Sequence, residues 1–365
     1  MTLTRVDSVG KATSYSANAC LTPLAAVHGL VVTTVEGIGN TRSPHAVQKA
    51  MAESNGSQCG FCTPGIVMSM YALLASNPNP SEEDVERAFD GNLCRCTGYR
   101  PILQGFRELI KSAQGAASSS ASSLAEHVEV PEELVAMAAA GAAADGAAPV
   151  VTFRPATEPT SKTTWYVPTT LAQVATLKAE FPGAKLVIGN TELGIEAKLK
   201  HAEFEVLVAT GGVAELLQCE VDEASSSLHL GASLNLNELA RFASTQLADE
   251  ATANPVYAGI EQALRWFAGN QIRNVASLAG NVMTASPISD LNPLWMAAGA
   301  TLHLISSTGK RRSRQSPARV LDDAAYGDDD ALAATAGGRM ASPSNLPVMD
   351  RKKGALPPVQ GAGKG

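Results

Sequence analysis

The segments QCGFCTPG (residues 58–65) and NLCRCTGYRPI (residues 92–102) hold four of the six cysteines of this chain of 365 residues. They form two close pairs, Cys59-x2-Cys62 and Cys94-x-Cys96. Four thiolates from two loops can bind either a 2Fe–2S cluster or a zinc ion. Structural zinc usually takes two pairs with two-residue gaps, so the single-residue gap in the second pair favours the cluster and leaves zinc as the alternative.

Four short helices are predicted around these cysteines. The first is expected to have Ser43 as its N-cap, and the second to begin at Pro64. Ser81 and Asp84 form a capping box at the start of the third helix, and the fourth starts near Pro101. The apolar faces predict a small bundle, with each cysteine pair in the loop leading into a helix. Helix N-termini stabilise thiolates, so this placement is typical of a metal site.

The rest of the chain divides by composition. Residues 113–150 are rich in Ala, Ser and Gly and predict a flexible linker after the helical domain of residues 44–112. Residues 151–312 alternate strand-like and helix-like runs, which indicates an α+β domain. Periodicity is lost beyond them, so residues 313–365 are expected to be a disordered tail.

Charge and hydropathy exclude several classes of function. The net charge of −7 gives no general attraction to nucleic acid or to anionic membranes. The chain has no uninterrupted apolar run long enough to cross a bilayer, and its N-terminus lacks the pattern of a secretory signal. No nucleic-acid or membrane partner is expected. The expected location is cytoplasmic, with a peroxisomal one as the alternative.

Two polar, glycine-containing segments, Gly189–Gly194 and Ser277–Asn281, follow apolar runs. Backbone N–H groups in such loops can bind a pyrophosphate, although plain turns are the alternative interpretation. A Rossmann dinucleotide site has no support, because no G-x-G-x-x-G occurs.

The two cysteine segments, in this order, resemble the second iron–sulfur domain of the molybdenum hydroxylase family, and within it the xanthine dehydrogenase group. The resemblance implies that Cys59, Cys62, Cys94 and Cys96 ligate a 2Fe–2S cluster. It also implies that Gln58 contacts molybdopterin.

The segment SANACL (residues 16–21) is similar to the end of the family's plant-type ferredoxin domain, so residues 1–43 are interpreted as a remnant of that domain. The resemblance makes Cys20 the last ligand of a second 2Fe–2S cluster. Residues 1–19 contain no further cysteine, so Cys20 is expected to be an orphan ligand, or simply a small packed thiol.

The segments RWFAG (residues 265–269) and TASPISDLNP (residues 284–293) resemble the family's FAD domain, as do the two glycine-containing segments. The implied fold is a partial α+β FAD-binding domain of the vanillyl-alcohol-oxidase-like, PCMH type. The implied FAD-binding residues are Leu186, Val187, Ile188, Gly189, Asn190, Thr191, Glu192, Leu193, Phe267, Ser277, Leu278, Ala279, Gly280, Asn281 and Asp290.

The resemblance thus predicts an oxidoreductase whose electron-transfer portion, a 2Fe–2S cluster and FAD, serves hydroxylation of purines such as xanthine and hypoxanthine. No catalytic residue is assigned, and a fragment without independent turnover is expected. Molybdopterin and NAD belong to the intact family enzyme. The implied partners are the molybdenum-domain portion of the same enzyme and a second copy in the family's homodimer. The alternatives are an aldehyde oxidase-like electron-transfer fragment and a non-catalytic zinc-binding module.

Overall fold

A computed structural model describes residues 1–7, 10–115, 130–143, 150–154, 163–222, 227–250, 252–306, 308, 310–315 and 334–339. Its helices are α1 Ala46–Glu53, α2 Thr63–Ser76, α3 Glu82–Ala88, α4 Arg100–Gly115, α5 Glu132–Ala143, α6 Leu171–Glu180, α7 Leu193–Leu199, α8 Leu236–Ala248, α9 Pro255–Trp266, α10 Asn270–Arg273, α11 Leu278–Thr284 and α12 Asn292–Ala297. Its strands are β1 Thr2–Val6, β2 Ala12–Ser16, β3 Val31–Thr33, β4 Val151–Phe153, β5 Thr164–Val167, β6 Lys185–Val187, β7 Val206–Ala209, β8 Cys219–Asp222, β9 Ser227–Leu230, β10 Thr301–Ile305, β11 Arg311–Gln315 and β12 Ala334–Arg339.

Helices α1 to α4 form the predicted bundle around one apolar core. The core includes the fully buried side chains of Met51, Ile66 and Phe106. The expected capping box of α3 is present, since the Ser81 hydroxyl accepts from the Asp84 N–H at 3.1 Å and the Asp84 carboxylate accepts from the Ser81 N–H at 2.8 Å. The bundle therefore forms as its apolar pattern indicates.

The predicted N-cap of the first helix is wrong. His45 caps α1 instead, because its Nδ1 accepts from the Val47 N–H at 3.1 Å and Gln48 Oε1 accepts from the His45 N–H at 2.9 Å. The Ser43 N–H donates to Asn40 Oδ1 at 3.2 Å, which places Ser43 in a turn before the helix.

The first residues of the chain form a three-stranded antiparallel sheet with strand order β2-β1-β3. Its central strand is tied to the bundle, since the Thr2 hydroxyl donates to the Met68 carbonyl oxygen of α2 at 3.2 Å. Thr2 and Thr4 are buried. The sheet thus packs against α2 of the bundle.

The second half of the chain contains two sheets with helices packed on them. Strands β5, β7 and β6 are parallel, and β4 adds an antiparallel edge to this four-stranded sheet. The other sheet has five antiparallel strands in the order β11-β10-β12-β9-β8. This mixture of helix and sheet confirms the α+β class. Among the described residues, no helix combines the length and the apolar character needed to cross a membrane.

The structure differs from the expected disordered tail. Strand β11 continues to Gln315, and β12 is inserted between β9 and β10. The sequence of β11 is polar and that of β12 is rich in Gly and Ala, so neither shows the apolar alternation by which a strand is recognised in a sequence. Both strands are instead defined by their backbone pairing with β10 and β9. Of the expected linker, residues 132–143 form α5. The remaining parts of the predicted tail and linker lie mainly outside the described residues.

Candidate cofactor sites

The two cysteine loops lie at the N-terminal ends of α2 and α4. Gly60 has a φ of 87°, a left-handed conformation that makes glycine the favoured residue between Cys59 and Cys62. The hydroxyls of Ser57 and Thr63 hydrogen-bond at 2.7 Å and close the same turn. The backbone therefore folds the first loop tightly enough to present both of its thiols on one side of the bundle.

The thiols of the two loops meet in two pairs. The Cys96 side chain lowers the pKa of Cys59, and the Cys62 side chain lowers the pKa of Cys94, so these side chains interact across the two loops. Among the described residues, no three His, Cys, Asp or Glu side chains converge where a single ion could be held. The predicted ligands are thus brought together as two pairs, each with one cysteine from each loop.

Hydrogen bonds make one thiol in each pair the more acidic. The Phe61 backbone N–H, followed by the Cys96 thiol, lowers the pKa of Cys59. The Thr97 hydroxyl and then its backbone N–H lower the pKa of Cys94 to about 7. These donors favour the thiolate, the form that binds metal.

The partner thiols are held in the protonated form. Burial, and then the bond to Cys94, raises the pKa of Cys62 to about 11. The bond to Cys59 raises the pKa of Cys96. In the metal-free chain each pair therefore joins a more acidic thiol to a less acidic one.

The Thr97 hydroxyl also organises the second loop. Its oxygen lies 3.0 Å from the Cys94 sulfur and accepts from the Tyr99 N–H at 3.1 Å. The Tyr99 hydroxyl in turn accepts from the Cys94 N–H at 2.9 Å. The loop is thereby fixed on both sides of Cys94. Sequence spacing could not show this arrangement.

The rim of the cysteine site is exposed. Gln58, the predicted molybdopterin contact, precedes Cys59 and faces the surface. Phe61 and Leu93 are 94% and 82% exposed, respectively, although both are large and apolar. This edge of the bundle is accessible to another molecule or domain.

The two other cysteines lie apart from these pairs in the sequence and take different places in the fold. Cys20 is exposed, and its carbonyl oxygen accepts a hydrogen bond from Lys198 Nζ. Its role as an orphan cluster ligand stays a prediction. Cys219 lies in β8, where burial, followed by Glu238 and Glu220, raises the pKa of its thiol to about 12.

The first predicted flavin segment lies between β6 and α7. Gly189 packs directly on the backbone of Val275 and Ala276, because a Cβ at residue 189 would overlap the Val275 carbonyl group. This contact brings residues 186–193 beside residues 277–281, so the fold juxtaposes the two segments. Among the described residues, the backbone N–H groups of residues 189–192 have no hydrogen-bond partner. A run of open N–H groups is typical of a phosphate-binding turn.

The sequence suggested that the second segment, Ser277–Asn281, is an open loop. In the structure it forms the start of α11 instead. Ser277 caps α11, accepting from the Gly280 N–H at 3.0 Å. The N–H groups of Leu278 and Ala279 donate to carbonyl oxygens of residues 234 and 232, and the Asn281 N–H donates to the Ser277 carbonyl oxygen. These four N–H groups are engaged within the fold. Any contact with a pyrophosphate here would therefore come from side chains or from the exposed edge at Gly280.

The last two predicted FAD contacts lie on either side of this segment. Phe267 is half-buried at the end of α9 and packs on the core of the second half. Asp290 is exposed, and the neighbouring Ser289 hydroxyl donates to Asn281 Oδ1 at 3.1 Å. That bond ties residues 289–290 to the segment of Asn281.

Comparison with known proteins identifies both halves. Residues 34–107 match the family of the [2Fe-2S] binding domain, and residues 160–316 match the FAD binding domain in molybdopterin dehydrogenase. The chain thus contains the 2Fe–2S-binding and FAD-binding domains of molybdenum hydroxylases, which confirms the predicted fold class and both cofactors.

The chain is a homologue of xanthine dehydrogenases. It is 43% identical over 329 residues to xanthine dehydrogenase/oxidase of Rattus norvegicus, an alignment that covers 83% of this chain and 24% of the relative. It is 41% identical over 339 residues to xanthine dehydrogenase 2 of Arabidopsis thaliana, with 82% and 25% covered. The chain therefore spans about a quarter of the length of these relatives. The crystal structure of quinoline 2-oxidoreductase from Pseudomonas putida 86 matches weakly, at 18% identity and a TM-score of 0.40, over 50% of this chain and 60% of that one.

Proposed function

We propose that this chain is the electron-transfer portion of a xanthine dehydrogenase-type oxidoreductase that hydroxylates purines such as xanthine and hypoxanthine. The observation that carries the proposal is the meeting of four thiols as two inter-loop pairs within a chain that also contains an FAD-binding domain. The chain has no independent turnover in this proposal. Purine oxidation depends on a molybdenum-bearing portion of the same enzyme.

The donor set fits a 2Fe–2S cluster. Such a cluster takes two thiolates on each iron, whereas structural zinc takes four ligands on one ion. Cys59, Cys62, Cys94 and Cys96 would together provide the four thiolates that the two irons need. The Phe61 N–H and the Thr97 hydroxyl already point at ligand sulfurs, as donors that tune such clusters do.

The first flavin segment fits the diphosphate of FAD. The open N–H groups of residues 189–192 supply donors, and the contact of Gly189 with Val275 fixes the turn that carries them. Asn190 has a φ of 56°, the left-handed conformation that occurs in anion-binding turns. Phe267, Asn281 and Asp290 would contribute further contacts.

When bound, the cluster and the flavin supply electron transfer and the conversion between one-electron and two-electron steps. The chain's own residues hold them. The bundle core sets the two cysteine loops, and the open N–H groups receive the negative charge of a diphosphate. Gln58 and Phe61 are exposed and would contact the molybdenum-bearing portion. We place the complete enzyme in the cytoplasm as a homodimer.

Metal analysis tests the cluster. Protein purified without air should contain two irons and two sulfides per chain, as a 2Fe–2S cluster requires, and give an EPR signal on reduction. Cys94→Ser should lose both irons, because one pair is broken, while Cys20→Ser should keep them. Stoichiometric zinc without iron would contradict the proposal and favour a zinc-binding module.

A reconstitution assay tests the enzymatic part. The purified chain with xanthine and NAD⁺ should form neither urate nor NADH above background. The same chain joined to the molybdenum-bearing portion of a xanthine dehydrogenase should form urate when an artificial electron acceptor replaces NAD⁺. Oxidation of aldehydes but not of purines by the joined protein would favour the aldehyde oxidase alternative.

A further inference from the structure

The turn after α9 lies directly against the loop that leads to Cys94. Within this turn Ala268 has a φ of 47°, a left-handed conformation that a residue with a Cβ keeps only when its surroundings hold it. A Cβ on Gly269 would lie 2.7 Å from Gly91 Cα, so the two backbones touch where both residues are glycine. The turn and the cysteine loop are therefore in van der Waals contact across the two domains.

A backbone hydrogen bond crosses the same contact. The Asn270 N–H donates to the Asp90 carbonyl oxygen at 3.0 Å. Asp90 lies in the turn after α3, and only three residues separate it from Cys94. The flavin half thus touches the iron–sulfur half very close to a predicted ligand.

One buried side chain joins these pieces. Arg273 is 5% exposed, and its Nη1 donates to the carbonyl oxygens of Phe267 and Ala268 at 2.8 and 2.9 Å. Its Nη2 donates to Asp90 Oδ2 at 2.9 Å, and its Nε donates to Asn237 Oδ1 at 3.2 Å. Every nitrogen of the guanidinium therefore has a hydrogen-bond partner. These bonds offset the cost of burying the charge.

We infer that Arg273 is a positioning residue that fixes the Phe267 turn for flavin binding and couples it, through Asp90, to the loop of Cys94. The inference deepens the proposed function and rests on it. The hydrogen bonds of the Arg273 guanidinium all go to other residues of the protein, so this side chain is not proposed to bind FAD itself. It acts by holding the two carbonyls that set the direction in which the Phe267 ring leaves the chain.

Hydrogen exchange at Asn270 tests the joint itself. Asp90→Asn leaves the guanidinium without its carboxylate and should speed exchange of the Asn270 N–H by about tenfold or more. Arg273→Gln should do the same. The matched control is Arg5→Gln, which removes another ion pair between the same two halves, Arg5 with Glu238 at 3.2 Å, and should leave this exchange unchanged.

Flavin titration then separates positioning from mere stability. Well below the unfolding temperature, Asp90→Asn and Arg273→Gln should each weaken FAD binding by about tenfold. Arg273→Lys should bind with intermediate affinity, because an ammonium keeps one partner but cannot reproduce the fork. A purely structural residue would lower the unfolding temperature and leave the affinity of the folded chain unchanged. If Arg273→Gln does not fold, the FAD affinity of Asp90→Asn alone decides the test.

The outcomes distinguish the two proposals. Unchanged Asn270 exchange, or faster exchange with unchanged FAD affinity, would overturn the role of Arg273 and leave the proposed function intact. Failure of the wild-type chain to bind FAD at all would overturn the flavin half of the proposed function, and the role of Arg273 with it.

Discussion

Gly189 lies so close to Val275 that no side chain fits between them, and this contact joins the two segments predicted to bind FAD. The segments are far apart in the chain but adjacent in the fold. Only the first of them, residues 186–193, has backbone N–H groups that remain open.

We expect Gly189→Ala to destabilise the flavin half by about 1–3 kcal/mol or more, since overpacking against a backbone group is difficult to relieve. FAD affinity should fall with it. Chemical denaturation and flavin titration measure the two effects. Gly183→Ala is the control, because no atom lies within 4 Å of a Cβ there. Equal stability of the two variants would show that the contact can relax.

Asn190 combines a backbone role with a side-chain role that two substitutions can separate. Its Nδ2 donates to the Leu21 carbonyl oxygen at 2.9 Å, and its φ is 56°. Asn190→Ala should lose this bond and add a left-handed strain of about 1–2 kcal/mol. Asn190→Gly loses the bond alone. If the conformation matters for the diphosphate, FAD titration should show weaker binding for Ala than for Gly, and equal affinities would argue against that.

The bundle could be predicted because its signals are local. The proline at the start of α2 and the Ser81 capping box fix helix starts, and apolar periodicity fixes the buried faces. Strands β1 and β2 were missed because buried Thr and Ser side chains, such as Thr4, read as polar surface. Ser277 was read as part of a loop because Gly280 stands where a capping box would have an acidic or amide side chain.

The candidate sites divide in the same way. Cysteine spacing indicated the ligands, but their pairing across the loops depends on how α2 and α4 pack. The fork of Arg273 joins residues far apart in the sequence, Asp90 and Phe267, and no local pattern reports such a contact. The sequence also could not show that the N–H groups of residues 189–192 are open and those of residues 278–281 are hydrogen-bonded. Both segments contain glycine and follow an apolar run.

The two cysteines outside the cluster site should differ in reactivity. Burial holds the pKa of Cys219 at about 12, so at pH 8 only about 10⁻⁴ of this thiol is the reactive thiolate. Cys20 is exposed. In the cluster-bound chain, iodoacetamide followed by peptide mass analysis should therefore label Cys20 long before Cys219. In denaturant both should react, and early labelling of Cys219 in the folded chain would show that β8 opens readily.

Thr97 should tune the cluster without being a ligand. Its hydroxyl lies 3.0 Å from the Cys94 sulfur, and a hydrogen bond to a ligand sulfur stabilises the reduced, more negative cluster. Thr97→Val removes this donor while keeping the shape of the side chain, so we expect a more negative reduction potential. Thr97→Ser keeps a hydroxyl and should stay near the wild-type value. Redox titration followed by EPR measures the three proteins, with iron content checked to show that the cluster is retained. A potential that is unchanged in Thr97→Val, with full iron content, would mean that the hydroxyl serves only the Tyr99 N–H in the folded loop.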